Sequence, residues 1–216
     1  MFLGILGAGG LGREVLEAAR AANAAEKRYD GFVFIDVRTD IGQVCGVRVC
    51  TLEEAVKDFG SELEVILGVG QPALRKKIIK ETDELRLPWA KIIHPKATVS
   101  DTASVGEGTF IGPHAFISCN GQIGRNCLIH AGVVVGHDCV IGENTSICAC
   151  TAIGGACRIG RDVFIGMGSS VIQECTLGDG TTVSMGSAVM KPLPDNVVAM
   201  GNPARVTKYN DEQKVF

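Results

Sequence analysis

Every sixth residue from Ile93 to Val189 is isoleucine, leucine or valine, without exception. The residue that follows is usually glycine, as at Gly106, Gly112, Gly124, Gly136, Gly142 and Gly154, and the fifth position is small, as at Ala97, Thr109, Ala115, Thr145 and Ser187. A period of six with these positions predicts a parallel β-helix, in which three short strands make one triangular coil and the coils stack as rungs. Residues 18 apart then share a column on adjacent rungs. Cys139, Cys157 and Cys175 form such a column at the small inward position and read as core packing residues.

The text before residue 90 is of another kind. FLGIL reads as a strand, GAGGLG as a glycine turn, and REVLEAARAAN as a helix with Val15, Leu16, Ala19 and Ala22 on one face. GFVFID and VILGVG read as further strands. TLEEAVKDF reads as a helix capped by Thr51 with Glu54 three residues on, and QPALRKKIIKETDEL as another helix. This β-α-β alternation predicts a small parallel sheet with ligands at the carboxyl ends of its strands. The expected organisation is a Rossmann-like α/β domain over 1–90, a β-helix over 91–195 and a C-terminal tail over 196–216.

Net charge is −3 and no basic excess offers a surface to nucleic acid or an anionic membrane, so neither partner is expected. The sequence contains no apolar run of about 18 residues and no recognisable signal peptide, which points to the cytoplasm and to nine reduced cysteines rather than disulfides.

Within the coils, VVVGHDCVIGEN places His137 and Asp138 side by side. His137 follows the inward Val135 and Gly136, so it points out of the prism near a corner. An imidazole there can act as a general base near neutral pH, and an adjacent carboxylate can orient the ring. Gly155, 18 residues on, lies one rung along, where its bare backbone N–H can donate to a developing oxyanion. Two other classes remain open at this point. Histidines across subunit interfaces can bind zinc, although His94, His114 and His130 do not share a column with His137. A non-catalytic solenoid would carry flat threonine arrays, whereas the outward positions here are mixed.

Taken together, GAGGLGREVLEAA, FID, GVGQPALRKKI, IIHPKATVS, VVVGHDCVIGE and GNPARV resemble the NeuD/PglD-like sugar acetyltransferases, a bacterial branch of the hexapeptide-repeat acyltransferases. The resemblance spans essentially the whole chain. It implies a left-handed coil, a homotrimer, acetyl-CoA as donor, no metal, and a nucleotide-linked amino sugar from a glycan biosynthesis route as acceptor. N-acetylation of a 4-amino group is the leading expectation and O-acetylation of a sialic-acid-type sugar the alternative. By the same resemblance His137, Asp138 and Gly155 carry catalysis, while Ser146, Gly166, Met167, Met185 and Pro203 contact the coenzyme. GAGGLG matches G-x-G-x-x-G loosely, and with Asp36 it would also suit a dinucleotide. The domain is short for a full dinucleotide fold, and the resemblance assigns Gly7, Gly9, Gly10, Leu11, Asp36, Val37 and Gly70 to the sugar nucleotide. Leu11 stands where the family commonly has histidine, and Asp138 where glutamate is expected.

Overall fold

A computed structural model of the protein describes residues 1–210. The N-terminal sheet has the order β3-β4-β2-β1-β5, from β1 (Phe2–Leu6), β2 (Gly31–Ile35), β3 (Gln43–Val44), β4 (Val47–Cys50) and β5 (Leu63–Leu67). β1 pairs in parallel with both β2 and β5, and β4 in parallel with β2. Three helices pack on it: α1 (Gly10–Ala25), α2 (Leu52–Phe59) and α3 (Pro72–Glu84). The predicted capping box of α2 is present, since Thr51 accepts from the Glu54 amide while Glu54 accepts from the Thr51 amide. The sequence reading missed the β3–β4 hairpin. Cys45 and Gly46 both take positive φ between Val44 and Val47, the geometry of a two-residue turn, and Val47 and Val49 face inward on either side of exposed Arg48.

From Ile92 onward the chain winds as a left-handed parallel β-helix of two-residue strands. Its first face stacks strands from Thr98–Val99 to Ala188–Val189, its second from Ser104–Val105 to Thr176–Leu177, and its third from Ile92–Ile93 to Thr182–Val183. The register is 18 residues throughout, as in Val135 beside Ile153. The hexad aliphatics fill the interior with Cys139, Cys157 and Cys175, all buried and unbridged. Val197–Gly201 and Ala204–Tyr209 form a hairpin that extends the third face, so the described part of the tail is sheet.

Two backbone requirements hold the corners. The fourth hexad position adopts a left-handed conformation at Asn120, Asn126, Asp138, Asn144 and Asp162, residue types that tolerate it. The glycine after the aliphatic permits close stacking: a Cβ on Gly136 would lie 2.6 Å from the Gly155 nitrogen of the next coil.

The three faces differ outside the prism. On the third, Ile92, Phe110 and Leu128 are buried in one cluster with Val15, Leu16 and Ala19 of α1, so the N-terminal domain covers it. The second presents Ser104, Gln122, Arg158 and Thr176. The first leaves Phe116, Val134 and Ala152 exposed.

Candidate active site

His137 and Asp138 occupy the corner between the first and second faces, opposite the covered third face. Nδ1 of His137 lies 2.8 Å from Oδ2 of Asp138, so the shorter aspartate does reach the ring. The other carboxylate oxygen accepts from Asn120 Nδ2 at 2.9 Å, and the Asn120 amide donates to Thr102 Oγ1 at 3.0 Å. Asn120 was not identified from sequence, yet it stands 18 residues before Asp138 and column arithmetic reaches it. Its hydrogen bond first, and the imidazole second, hold the Asp138 carboxyl below the usual carboxylate range. In the tautomer that donates its Nδ1 hydrogen to Asp138, Nε2 carries the lone pair.

Gly155 is the surface on which that ring rests. A Cβ there would lie 2.5 Å from Nε2 of His137 and 2.7 Å from Cε1, so only glycine leaves the imidazole its place. Its N–H makes no hydrogen bond within the described residues, whereas the next amide, Ala156, donates to the His137 carbonyl at 2.7 Å. A free base and a free donor therefore stand together at one corner.

The positions expected around the coenzyme are not brought to this corner within one chain. Met167 and Met185 project from the corner between the third and first faces, 56% and 70% exposed. Gly166 is buried beneath them, its amide donating to Val183. Pro203 is exposed in the turn of the terminal hairpin, which Gly201 seats by donating to Ser187 Oγ at 3.2 Å. Ser146 is 1% exposed on the third face, and its hydroxyl has no hydrogen-bond partner among the described residues.

In the N-terminal domain a cleft of about 240 Å³ opens at the carboxyl ends of β1 and β2, lined by Gly7, Asp36, Val37, Leu52, Val69 and Leu74. The loop glycines divide by role. Gly7 has φ +115 and a Cβ there would meet Val69 at 2.7 Å, so it serves the chain's own packing. Gly9 and Gly10 face open space, Gly9 as the N-cap of α1 without a side-chain cap. Gly70 lies near Leu11, which is half-buried, and Val37 is almost fully exposed. Asp36 Oδ2 accepts from the Ala8 amide at 2.8 Å, and both carboxylate oxygens engage Arg38, through Oδ1 to Nε at 3.1 Å and Oδ2 to NH2 at 3.0 Å. Arg38 was missed in the sequence, and its side chain is the first cause of the low Asp36 pKa. A second groove, of about 880 Å³, runs between α1 and the coils past Arg13, Glu14, His94 and His130. Among the described residues no cluster of three or more His, Cys, Asp or Glu could hold a metal ion.

Residues 3–82 match the PglD N-terminal domain family and residues 120–155 the bacterial transferase hexapeptide family. The acetyltransferase domain of PglB from Neisseria gonorrhoeae FA1090 superposes with TM-score 0.88 at 29% identity, over 95% of this chain and 99% of that one, and has been solved with acetyl coenzyme A. PerB from Caulobacter crescentus, solved with CoA and GDP-perosamine, gives 0.87 at 29% over 96% and 98%. WeeI from Acinetobacter baumannii AYE, at 24% identity and TM-score 0.88 over 96% and 100%, shares the fold. Comparison with curated protein sequences gave no match. The chain thus carries a PglD-type N-terminal domain followed by bacterial transferase hexapeptide repeats, and over nearly its whole length it is similar to the PglB acetyltransferase domain and to PerB.

Proposed function

We propose that the protein is an acetyl-CoA-dependent N-acetyltransferase acting on the 4-amino group of a nucleotide-linked amino-dideoxy sugar. The observation that carries this reading is the free Nε2 of His137, with Nδ1 held by Asp138 and the unpaired Gly155 amide on the adjoining rung. The amine nitrogen attacks the thioester carbonyl while His137 Nε2 takes its proton. The oxyanion receives the Gly155 N–H. Collapse breaks the C–S bond, the amide forms, and the proton on His137 passes to the departing thiolate. The PglB domain and PerB support the donor and acceptor classes, since solved complexes contain acetyl coenzyme A in one and CoA with GDP-perosamine in the other.

The active unit in this reading is a homotrimer. His137 lies on the corner farthest from its own N-terminal domain, and the exposed first face separates it from the methionine corner. Packing first faces around a shared axis buries Phe116 and Val134 and brings His137 of one copy to Met167, Met185 and the N-terminal domain of the next. The nucleotide occupies the Asp36 cleft, with its phosphates toward the open Gly9 and Gly10 at the start of α1.

The test is acetyl-CoA consumption by purified protein against UDP-, GDP- and dTDP-linked 4-amino sugars and against sialic acid, with the oligomer measured by light scattering. Turnover on an amino-sugar nucleotide by a trimer is the expected result. Turnover on sialic acid alone replaces the N-acetyl reading by O-acetylation, and full activity in a monomer removes the composite site.

A further inference from the structure

Arg75 is the largest fully buried side chain in the described protein, at 0% exposure, and it lies where α3 meets the coils. Its guanidinium donates through Nε to Asn144 Oδ1 at 2.8 Å, through NH1 to the Val69 carbonyl at 3.1 Å, and through NH2 to the Asn126 carbonyl. No carboxylate touches it. Burial consequently pushes its pKa down, to about 10. Asp162 stands one residue further out, accepting from Asn144 Nδ2 at 2.7 Å and pairing with Lys76 at 2.9 Å.

A buried cation without a carboxylate is a costly way to fill space, and an apolar side chain of similar volume would be cheaper if packing were the only demand. What the guanidinium adds is direction: a rigid planar fork of donors aimed at acceptors in fixed places. Those acceptors belong to different parts of the molecule. Val69 lines the nucleotide cleft in the loop after β5, whereas Asn126 and Asn144 are left-handed corner residues on consecutive rungs. The Asn144 amide is held in turn by its hydrogen bond to Asp162 and the Asn126 acceptor is main chain, so Arg75 references the cleft wall to the prism.

We propose that Arg75 is a positioning residue that fixes the orientation of the nucleotide cleft on the β-helix, and thereby the placement of the acceptor amine against the base. The proposal rests on the sugar-nucleotide reading above. In a trimer the N-terminal domain must present its cargo to the neighbour's His137, and a tilt of that domain moves the amine while leaving the cleft itself intact. Loss of Arg75 should therefore appear in turnover and not in nucleotide affinity, since misplacement by about 1 Å can cost on the order of a hundredfold in rate.

The experiment compares Arg75→Lys, Arg75→Gln and Asn144→Ala with the wild-type trimer. Calorimetric affinity is measured for whichever of UDP, GDP and dTDP the wild type binds tightest, and kcat with the matching 4-amino sugar. The expected result is nucleotide affinity within about twofold, with kcat lowered on the order of a hundredfold in Arg75→Gln, partly restored in Arg75→Lys, and about tenfold lower in Asn144→Ala. If the Arg75 variants fail to fold, Asn144→Ala decides alone. Folded variants with wild-type kcat overturn the proposal, as do variants whose nucleotide affinity falls in step with kcat. Amide hydrogen exchange keeps the test separate from the activity reading: residues 68–71 and the corners at 126 and 144 should exchange faster in Asn144→Ala even if no sugar nucleotide proves to be a substrate. Unchanged exchange there contradicts the lock itself.

Discussion

His130 and His137 sit seven residues apart on one coil and have opposite environments. His130 follows its aliphatic directly and faces the side covered by the N-terminal domain, 19% exposed, with Glu14 at 4.0 Å and Phe110 against the ring. Burial pushes its imidazole down to about 4, so it is neutral at physiological pH. His137 stands one hexad position later, at the open corner, 60% exposed and 2.8 Å from a carboxylate. The two imidazoles thus occupy consecutive corners of the coil, one packed against the N-terminal domain and the other open to solvent. The same prism makes both because its three faces have different neighbours.

That contrast can be broken by mutation. The largest effect is expected from His137→Ala, which should lower kcat by about two to four orders of magnitude, the usual worth of a general base, while circular dichroism shows an unchanged fold. Gly155→Val should follow with a loss on the order of a hundredfold, because its Cβ would lie 2.5 Å from Nε2 and the ring must move. Steady-state kinetics should show that loss in kcat with little change in the sugar-nucleotide KM. Asp138→Asn should cost roughly tenfold, less than deletion of the base, because it disturbs the ring's holder and leaves the ring. Equal losses for the Asp138 and His137 variants would mean that the carboxylate does more than orient.

His130 supplies the other side of the comparison and should register in stability. Its folded pKa of about 4 lies below the ordinary value of about 6.5, so the folded state binds its proton less readily than the unfolded chain. The associated stability is complete above about pH 6.5 and declines as pH falls toward about 4, by roughly 3 kcal/mol at most. Denaturant unfolding of His130→Asn across that window should show a shallower acid decline than wild type. Parallel curves would mean that the buried imidazole is not what destabilises the acid form.

Much of the architecture was legible because it is written in period. The unbroken hexads give strands, columns and the outward corner of His137, and the turn chemistry of Thr51 and Glu54 gives the start of α2. Other features are hidden for physical reasons. The β3–β4 hairpin is too short to announce a period beyond Val47 and Val49. Ser146 occupies an outward strand position like Phe116, yet it is buried on the third face while Phe116 is exposed on the first, a difference of surroundings that the repeat does not encode. Asn120 follows from the 18-residue column once Asp138 is chosen, whereas Arg75 meets Asn144 across 69 residues, a pairing no local pattern encodes. Asp36 looks in sequence like a ligand contact, yet part of its capacity is spent on Ala8 and Arg38.

The central claim, that His137 removes a proton from the attacking acceptor, is most directly tested by chemical rescue. His137→Ala is assayed at saturating acetyl-CoA and sugar nucleotide with increasing imidazole at fixed pH and ionic strength. Turnover is expected to rise with the concentration of free imidazole base, as an added base enters the space the side chain vacated. A variant that keeps wild-type turnover without imidazole, or one whose loss no small base relieves, contradicts it.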